Sequence, residues 1–239
     1  MTIESFPARV RELAADRRLG DPVRAFRPRS VHRLTAVLRR RARPVPVYLF
    51  AGGLVRPPEA YGWRELSSVT VAGVRRRRRR GSIRWQVAID LADGRTVRLA
   101  DGLADIELLG EVIVAEVMRR VVPGYVATVG NGGTVAFGPF TVSDKGIEKD
   151  AELIPWPAIG SVGMSNGLVY VRRRDERSPA ALPAALPAPP PAPATGADGN
   201  AAAAAGAAGI VAVIAARMPN AAAFIALCRH LGAQVDGPA

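Results

Sequence analysis

The chain has 239 residues and a net charge of +12, from 33 lysines and arginines against 21 acids. A single cysteine excludes an internal disulfide framework and a cysteine-based zinc site, and His32 and His230 stand far apart with no ligand partner at metal spacing, so no metal or cofactor is expected. The first twenty residues carry four arginines and no apolar core segment, which excludes a signal-peptide pattern and points to the cytoplasm.

Residues 6–19 predict a short amphipathic helix, with Ser5 as cap, Pro7 in the first turn and Gly20 just past the end. Val10, Leu13 and Ala14 form its apolar face. RAFRP, at 24–28, then reads as a strand, and residues 29–46 follow as a basic insertion. That insertion is a candidate helix with Arg33, Arg39, Arg40 and Arg41 around an apolar side. VYLF and GLV flank Gly52-Gly53, a turn or bulge. Trp63 to Val71 reads as a strand with Leu66, Val69 and Val71 inward. Arg75, Arg76, Arg77, Arg78, Arg79 and Arg80 form an unbroken run closed by Gly81. SIRWQVAIDL alternates as a half-buried strand, and Asp93-Gly94 turns it into a hairpin with residues 96–100. A helix is expected from a cap at Asp105 through Arg120, ended by Pro123 and Gly124.

The remainder follows the same plan. Residues 47–71 align without a gap on 140–164, each position shifted by 93, so that Gly53 matches Gly146 and Trp63 matches Trp156. VAFGP, at 135–139, echoes RAFRP and runs straight into FTVSDKGI with no insertion between. Asn166-Gly167 is a second hairpin turn. Residues 178–208 are an Ala/Pro-rich tract that buries too little surface to offset chain entropy, and are expected to be disordered. Ile210 to Arg217 resumes as a strand, and Asn220 is expected to cap a last helix with Ala223, Phe224, Leu227 and Leu231 inward. The expected organisation is an N-terminal helix (1–19), a first domain (20–128) with the insertion 29–46, and a second domain (129–235) interrupted by 178–208.

Each copy is thus a set of antiparallel strands closed by one helix. This resembles pleckstrin-homology-like (PH-like) domains, and the pattern of a glycine turn followed by Trp-x-x-Leu/Ile-x-Ser-Val is similar to bacterial PH-like proteins. The segments RRLGDPVRAFRP, VYLFAGGL, ADGRTVRL, TVAFGPFTV, LIPWPAIGSV and MPNAAAFIAL resemble an uncharacterised family from high-GC bacteria, a domain of unknown function. The resemblance implies an α+β fold of two PH-like units, each an antiparallel β-sandwich or partly open barrel closed by a C-terminal helix. It implies nothing about activity.

Function rests on charge. Residues 1–46 hold twelve arginines against four acids, residues 47–130 thirteen against nine, and the rest balances at eight against eight. Codon bias accounts for arginine over lysine but not for this asymmetry, which favours anionic partners. In PH-like folds the loop after strand one lies near the loop between strands three and four, and these correspond here to the 29–46 insertion and the Arg75–Arg80 run. The run either grips phosphates through paired hydrogen bonds or is a solvated loop. The candidate anion-binding residues are Arg75 to Arg80 with Arg39, Arg40 and Arg41; Trp63, Trp156, Gly53 and Gly146 are read as structural. The carboxylate pairs Asp90 with Asp93 and Asp101 with Asp105 fall at a hairpin and at a helix cap, where backbone chemistry explains them, so no enzyme is expected. The expected function is a non-catalytic binding or scaffold module, peripheral to an anionic inner membrane through lipid headgroups, or bound to an acidic protein surface. Nucleic-acid binding is the alternative; no base-stacking or helix-turn-helix motif accompanies the arginines.

Overall fold

A computed structural model describes residues 6–29, 45–75, 83–100, 102–165, 167–174 and 210–236. The fold is mixed α+β and divides into two compact units, Met1–Val121 and Val122–Ala239. Among the described residues there are three α-helices and four sheets, none closed into a barrel.

In the first unit, α1 (Ala8–Asp16) precedes a four-stranded antiparallel meander of β1 (Pro22–Phe26), β2 (Val47–Phe50), β3 (Gly53–Arg56) and β4 (Glu59–Gly62). A 3₁₀ turn, Trp63–Glu65, then leads into a three-stranded sheet of β5 (Leu66–Arg75), β6 (Ile83–Leu91) and β7 (Thr96–Ala100). Helix α2 (Ile106–Gly130) follows. Its Ile106, Leu109, Ile113 and Val117 are buried against Phe26, Leu54, Trp63, Val87 and Ile89. Each such side chain contributes about 1.5–3 kcal/mol by leaving water. The apolar face of α1 docks as expected, with Val10 and Ala14 buried beside Phe6, Tyr48 and Phe50.

In the second unit the same order recurs. β8 (Val135–Phe137), β9 (Phe140–Val142), β10 (Gly146–Lys149) and β11 (Glu152–Pro155) form a meander, and a 3₁₀ turn at Trp156–Ala158 precedes β12 (Ile159–Ser165), β13 (Leu168–Arg173) and β14 (Ile210–Ile214). Helix α3 (Ala221–His230) buries Ala223, Phe224, Leu227 and Cys228. Phe224 stacks on Phe140 at 5.1 Å and meets the edge of Phe137 at 5.5 Å.

The register repeats too. Phe26 pairs with Val47 and Phe137 with Phe140. The indole segments start alike, with Trp63 N–H donating to Gly52 O and Trp156 N–H to Lys145 O. Bulges fall at Leu66/Ser68 and at Ile159/Ser161. Added to Gly53, a Cβ would lie 2.1 Å from the Tyr61 carbonyl oxygen; added to Gly146, it would lie 2.1 Å from that of Ile154. The two glycines therefore let adjacent backbone approach at the same place in each meander.

Several expectations need correction. Trp63 does not start a strand: it opens the 3₁₀ turn, and β5 begins at Leu66. Likewise β14 stops at Ile214, and Ala215–Arg217 is a 3₁₀ turn. Helix α1 closes on Arg18, at φ 53°, rather than on Gly20; Arg18 and Leu19 N–H donate to Ala15 and Ala14 O, and Leu19 is buried below. Ser5 lies outside the described residues. Helix α2 runs through Pro123 to Gly130. An internal proline costs about 3 kcal/mol, but the last turns are held in the second unit, where Val129 is buried and Tyr125 meets Phe137 at 5.3 Å. Asn220 sits before α3 in a left-handed conformation without a side-chain cap bond; its amide donates to Tyr125 Oη instead. Trp63 is buried, but Trp156 is only half-buried. The sequence reading missed β15 (Val235–Asp236), which adds parallel to β12. The tract 178–208, and all of the 29–46 insertion except its ends, lie outside the described residues.

Candidate anion-binding end of the first unit

β5 and β6 pair antiparallel as far as Arg75 opposite Ile83, so their connection carries Arg76 to Arg80. This corrects the expected position of the run: it joins strands five and six, while Pro57-Pro58 joins strands three and four. Arg75 ends β5; Arg76 to Arg80 and Arg39, Arg40 and Arg41 lie outside the described residues.

The described residues nearest these segments come together. After β1 the chain is tied to the segment before α2: Arg29 N–H donates to Gly102 O, Ala104 N–H donates to Arg27 O, and Pro28 bridges Leu103. Arg29, where the basic insertion begins, and Trp85, two residues after the arginine run rejoins the sheet, both line one open concavity of about 660 Å³. Arg24 and the first turns of α2, from Asp105 to Glu111, complete its wall. Arg24 donates to the Asp105 carboxylate at 2.7 Å and lies over the Phe26 ring at 5.4 Å. Asp105 Oδ2 thus accepts from Arg24, while the Asp105 carbonyl receives the Leu109 N–H at the start of the helix. Glu107 and Glu111 add negative charge to the same wall. Chemically the concavity offers guanidinium groups, an indole and carboxylates together. Arg24, Arg29 and Trp85 were not singled out as site residues, because only the fold brings β1, β6 and the helix start together. The sole sequence signal was Trp85 near the open end of an alternating strand.

A second charged group in this unit pairs internally. Arg95 binds Glu59 at 3.0 Å and Asp93 at 2.8 Å. Tyr61 donates to Glu59. Those hydrogen bonds, from Tyr61 and then Arg95, hold the Glu59 carboxyl below the usual range, and burial with the Glu59 bond pushes Tyr61 up to about 12. The structural residues hold the meanders: Trp63 Nε1 donates to Ala51 O at 2.9 Å, and Trp156 Nε1 to Ser143 O at 3.1 Å. Among the described residues no group of three or more His, Cys, Asp or Glu could hold a metal ion. Among them, too, no helix is long and apolar enough to cross a membrane.

Residues 14–177 match the model of a family of unknown function, DUF6585. The chain belongs to this family. No curated protein and no solved structure matches it. Membership in DUF6585 covers all of the first meander and its sheet, the concavity, and the second unit as far as β13.

Proposed function

We propose that this DUF6585 protein is a non-catalytic binding module of two PH-like units, whose first unit holds a cytoplasmic anionic membrane surface through arginine-rich connections. The PH-like reading is supported by the shared order of four strands, three strands and a helix in the two units. It is further supported by the equivalent contacts of Gly53 and Gly146.

One observation carries the functional part: Arg29 and Trp85 line the same concavity, so the 29–46 insertion and the Arg75–Arg80 run spring from one end of the unit. In the second unit Gly138-Pro139 alone separates β8 from β9, and β12 and β13 pair as far as Ser165 opposite Leu168. Each arginine near an anionic surface contributes about 1 kcal/mol, so several together give reversible attachment that salt weakens. A second reading, nucleic-acid binding, is favoured by Trp85 and Arg29 lining one concavity, since an aromatic ring and a guanidinium in one site suit base stacking.

Sedimentation with phosphatidylserine-containing and with neutral vesicles, run beside a DNA gel shift over one salt series, tests both. The proposal expects salt-sensitive binding to the anionic vesicles at salt where DNA is no longer shifted. Binding to DNA alone selects the second reading, and binding to neither rejects both.

A further inference from the structure

The bulge that opens β5 leaves the Leu66 carbonyl to a side chain. Arg120, on α2, donates to it from Nη2 at 3.2 Å, and to Glu116 O from Nε at 3.2 Å. In the second unit the matching carbonyl, Ile159 O, accepts from Arg174 Nη2 at 3.5 Å. A guanidinium on this carbonyl is therefore part of the frame that both units share. The first unit adds two further arginines. Arg64 stands two residues before Leu66 in the 3₁₀ turn, where the second unit has Pro157, and Arg119 precedes Arg120 on α2.

These cations lack counter-charge. Glu65 is held by Arg17 at 2.8 Å, and Glu116 by Arg119 at 2.7 Å. Arg120 is half-buried and donates only to backbone oxygens, Arg64 is exposed, and neither has a carboxylate partner among the described residues. Burial, and then the fields of Arg119 and Arg64 against that of Glu116, hold Arg120 below the ordinary arginine range. Three guanidiniums against the one carboxylate of Glu116 leave an excess of two positive charges.

We infer that Arg64, Arg119 and Arg120 form a binding site for a phosphate monoester. Such a group carries close to two negative charges at neutral pH and three acceptor oxygens, which guanidinium forks match. A carboxylate or a phosphodiester brings only one charge and leaves half of the excess in place. Arg120, held by Leu66 O and Glu116 O, is the fixed member, and exposed Arg64 gives access from solvent. The inference is independent of the membrane proposal, because none of these residues lines the concavity or belongs to the Arg75–Arg80 run.

Calorimetric titration of the full chain with methyl phosphate at constant ionic strength tests it, with dimethyl phosphate, a diester, for comparison. The expected result is saturable binding of the monoester, about tenfold or more tighter than that of the diester. Arg64→Gln should keep the parent's Tm, since Arg64 has no partner to lose, and should weaken binding about tenfold. Arg174→Gln, at the equivalent carbonyl of the second unit, should leave the affinity unchanged. Sedimentation with phosphatidic acid vesicles, in a chain with Arg75 to Arg80 changed to serine, separates the sources of the group. Vesicle binding that Arg64→Gln abolishes assigns a lipid monoester, and binding of methyl phosphate alone assigns a soluble one. No saturable binding of methyl phosphate, equal binding of the diester, or an Arg64→Gln protein that binds like the parent would each overturn the inference.

Discussion

Replacing Gly53 by alanine probes the feature that both units share. The new Cβ would sit 2.1 Å from Tyr61 O, 2.9 Å from Gly62 Cα and 3.0 Å from Leu19 Cδ2. Carbon and oxygen in close strand contacts lie about 3.3 Å apart, so β3 and β4 must separate by about 1 Å. The Leu19 side chain can move aside; the other two atoms are backbone. Separation falls on the pairs Gly53–Gly62 and Leu54–Tyr61, next to the buried Leu54, Tyr61 and Trp63. Overpacking costs about 1–3 kcal/mol where side chains can adjust, and a backbone shift places this substitution at about 3 kcal/mol or more. For a chain of this length that lowers Tm by about 6–12 °C. Gly146→Ala should do likewise, with its Cβ 2.1 Å from Ile154 O and 2.8 Å from Pro155 Cα. Gly124→Ala is the opposite control: it lies within α2 with nothing within 4 Å, and alanine there gains up to about 1 kcal/mol. Thermal unfolding followed by circular dichroism reads all three. A Gly53→Ala protein melting within about 2 °C of the parent would refute the close-approach reasoning.

Other outcomes follow from single contacts. Burial and then the Glu59 bond push Tyr61 up to about 12 from the ordinary 10.0, so the stability it supplies is complete below pH 10 and is lost as pH rises toward 12. Tyr61→Phe should flatten that alkaline loss in denaturant titrations, and Glu59→Gln should bring the tyrosinate absorbance change to lower pH. Asp236 accepts from the buried Ser161 hydroxyl and pairs with Arg172 at 3.2 Å, so Asp236→Ala leaves a buried hydroxyl unpaired. Urea unfolding should show a loss of about 1–3 kcal/mol. Burial pushes the Cys228 thiol up, so alkylating reagents at neutral pH should label it only as the protein unfolds; labelling at the rate of a free thiol would contradict its burial.

Much of the fold was legible because local residues stood in for backbone contacts. Gly52-Gly53 marked the turn between β2 and β3 and Gly146 its counterpart in the repeat, Asp93-Gly94 marked its hairpin, and Ile83 to Leu91 alternated as the strand requires. Boundaries failed where tertiary contacts override propensity. Pro123 reads as a stop, yet Tyr125 and Val129 keep the helix going; Gly20 reads as an end, yet Arg18 takes the left-handed position so that Leu19 can be buried. β15 is too short for periodicity to register, and its signal is a long-range pairing to β12. The candidate site was legible as composition and not as place. The arginine runs were plain in the sequence, but the concavity of Arg24, Arg29 and Trp85 joins residues from three elements.

The central claim is that the first unit holds anionic surfaces through its arginines. Changing Arg75, Arg76, Arg77, Arg78, Arg79 and Arg80 together to serine and measuring sedimentation with phosphatidylserine-containing vesicles tests it most directly. At about 1 kcal/mol for each arginine, the account predicts that binding falls below detection, with Tm unchanged and no effect on the background with neutral vesicles. Equal binding by the variant and the parent, or no binding by the parent at low salt, would contradict it.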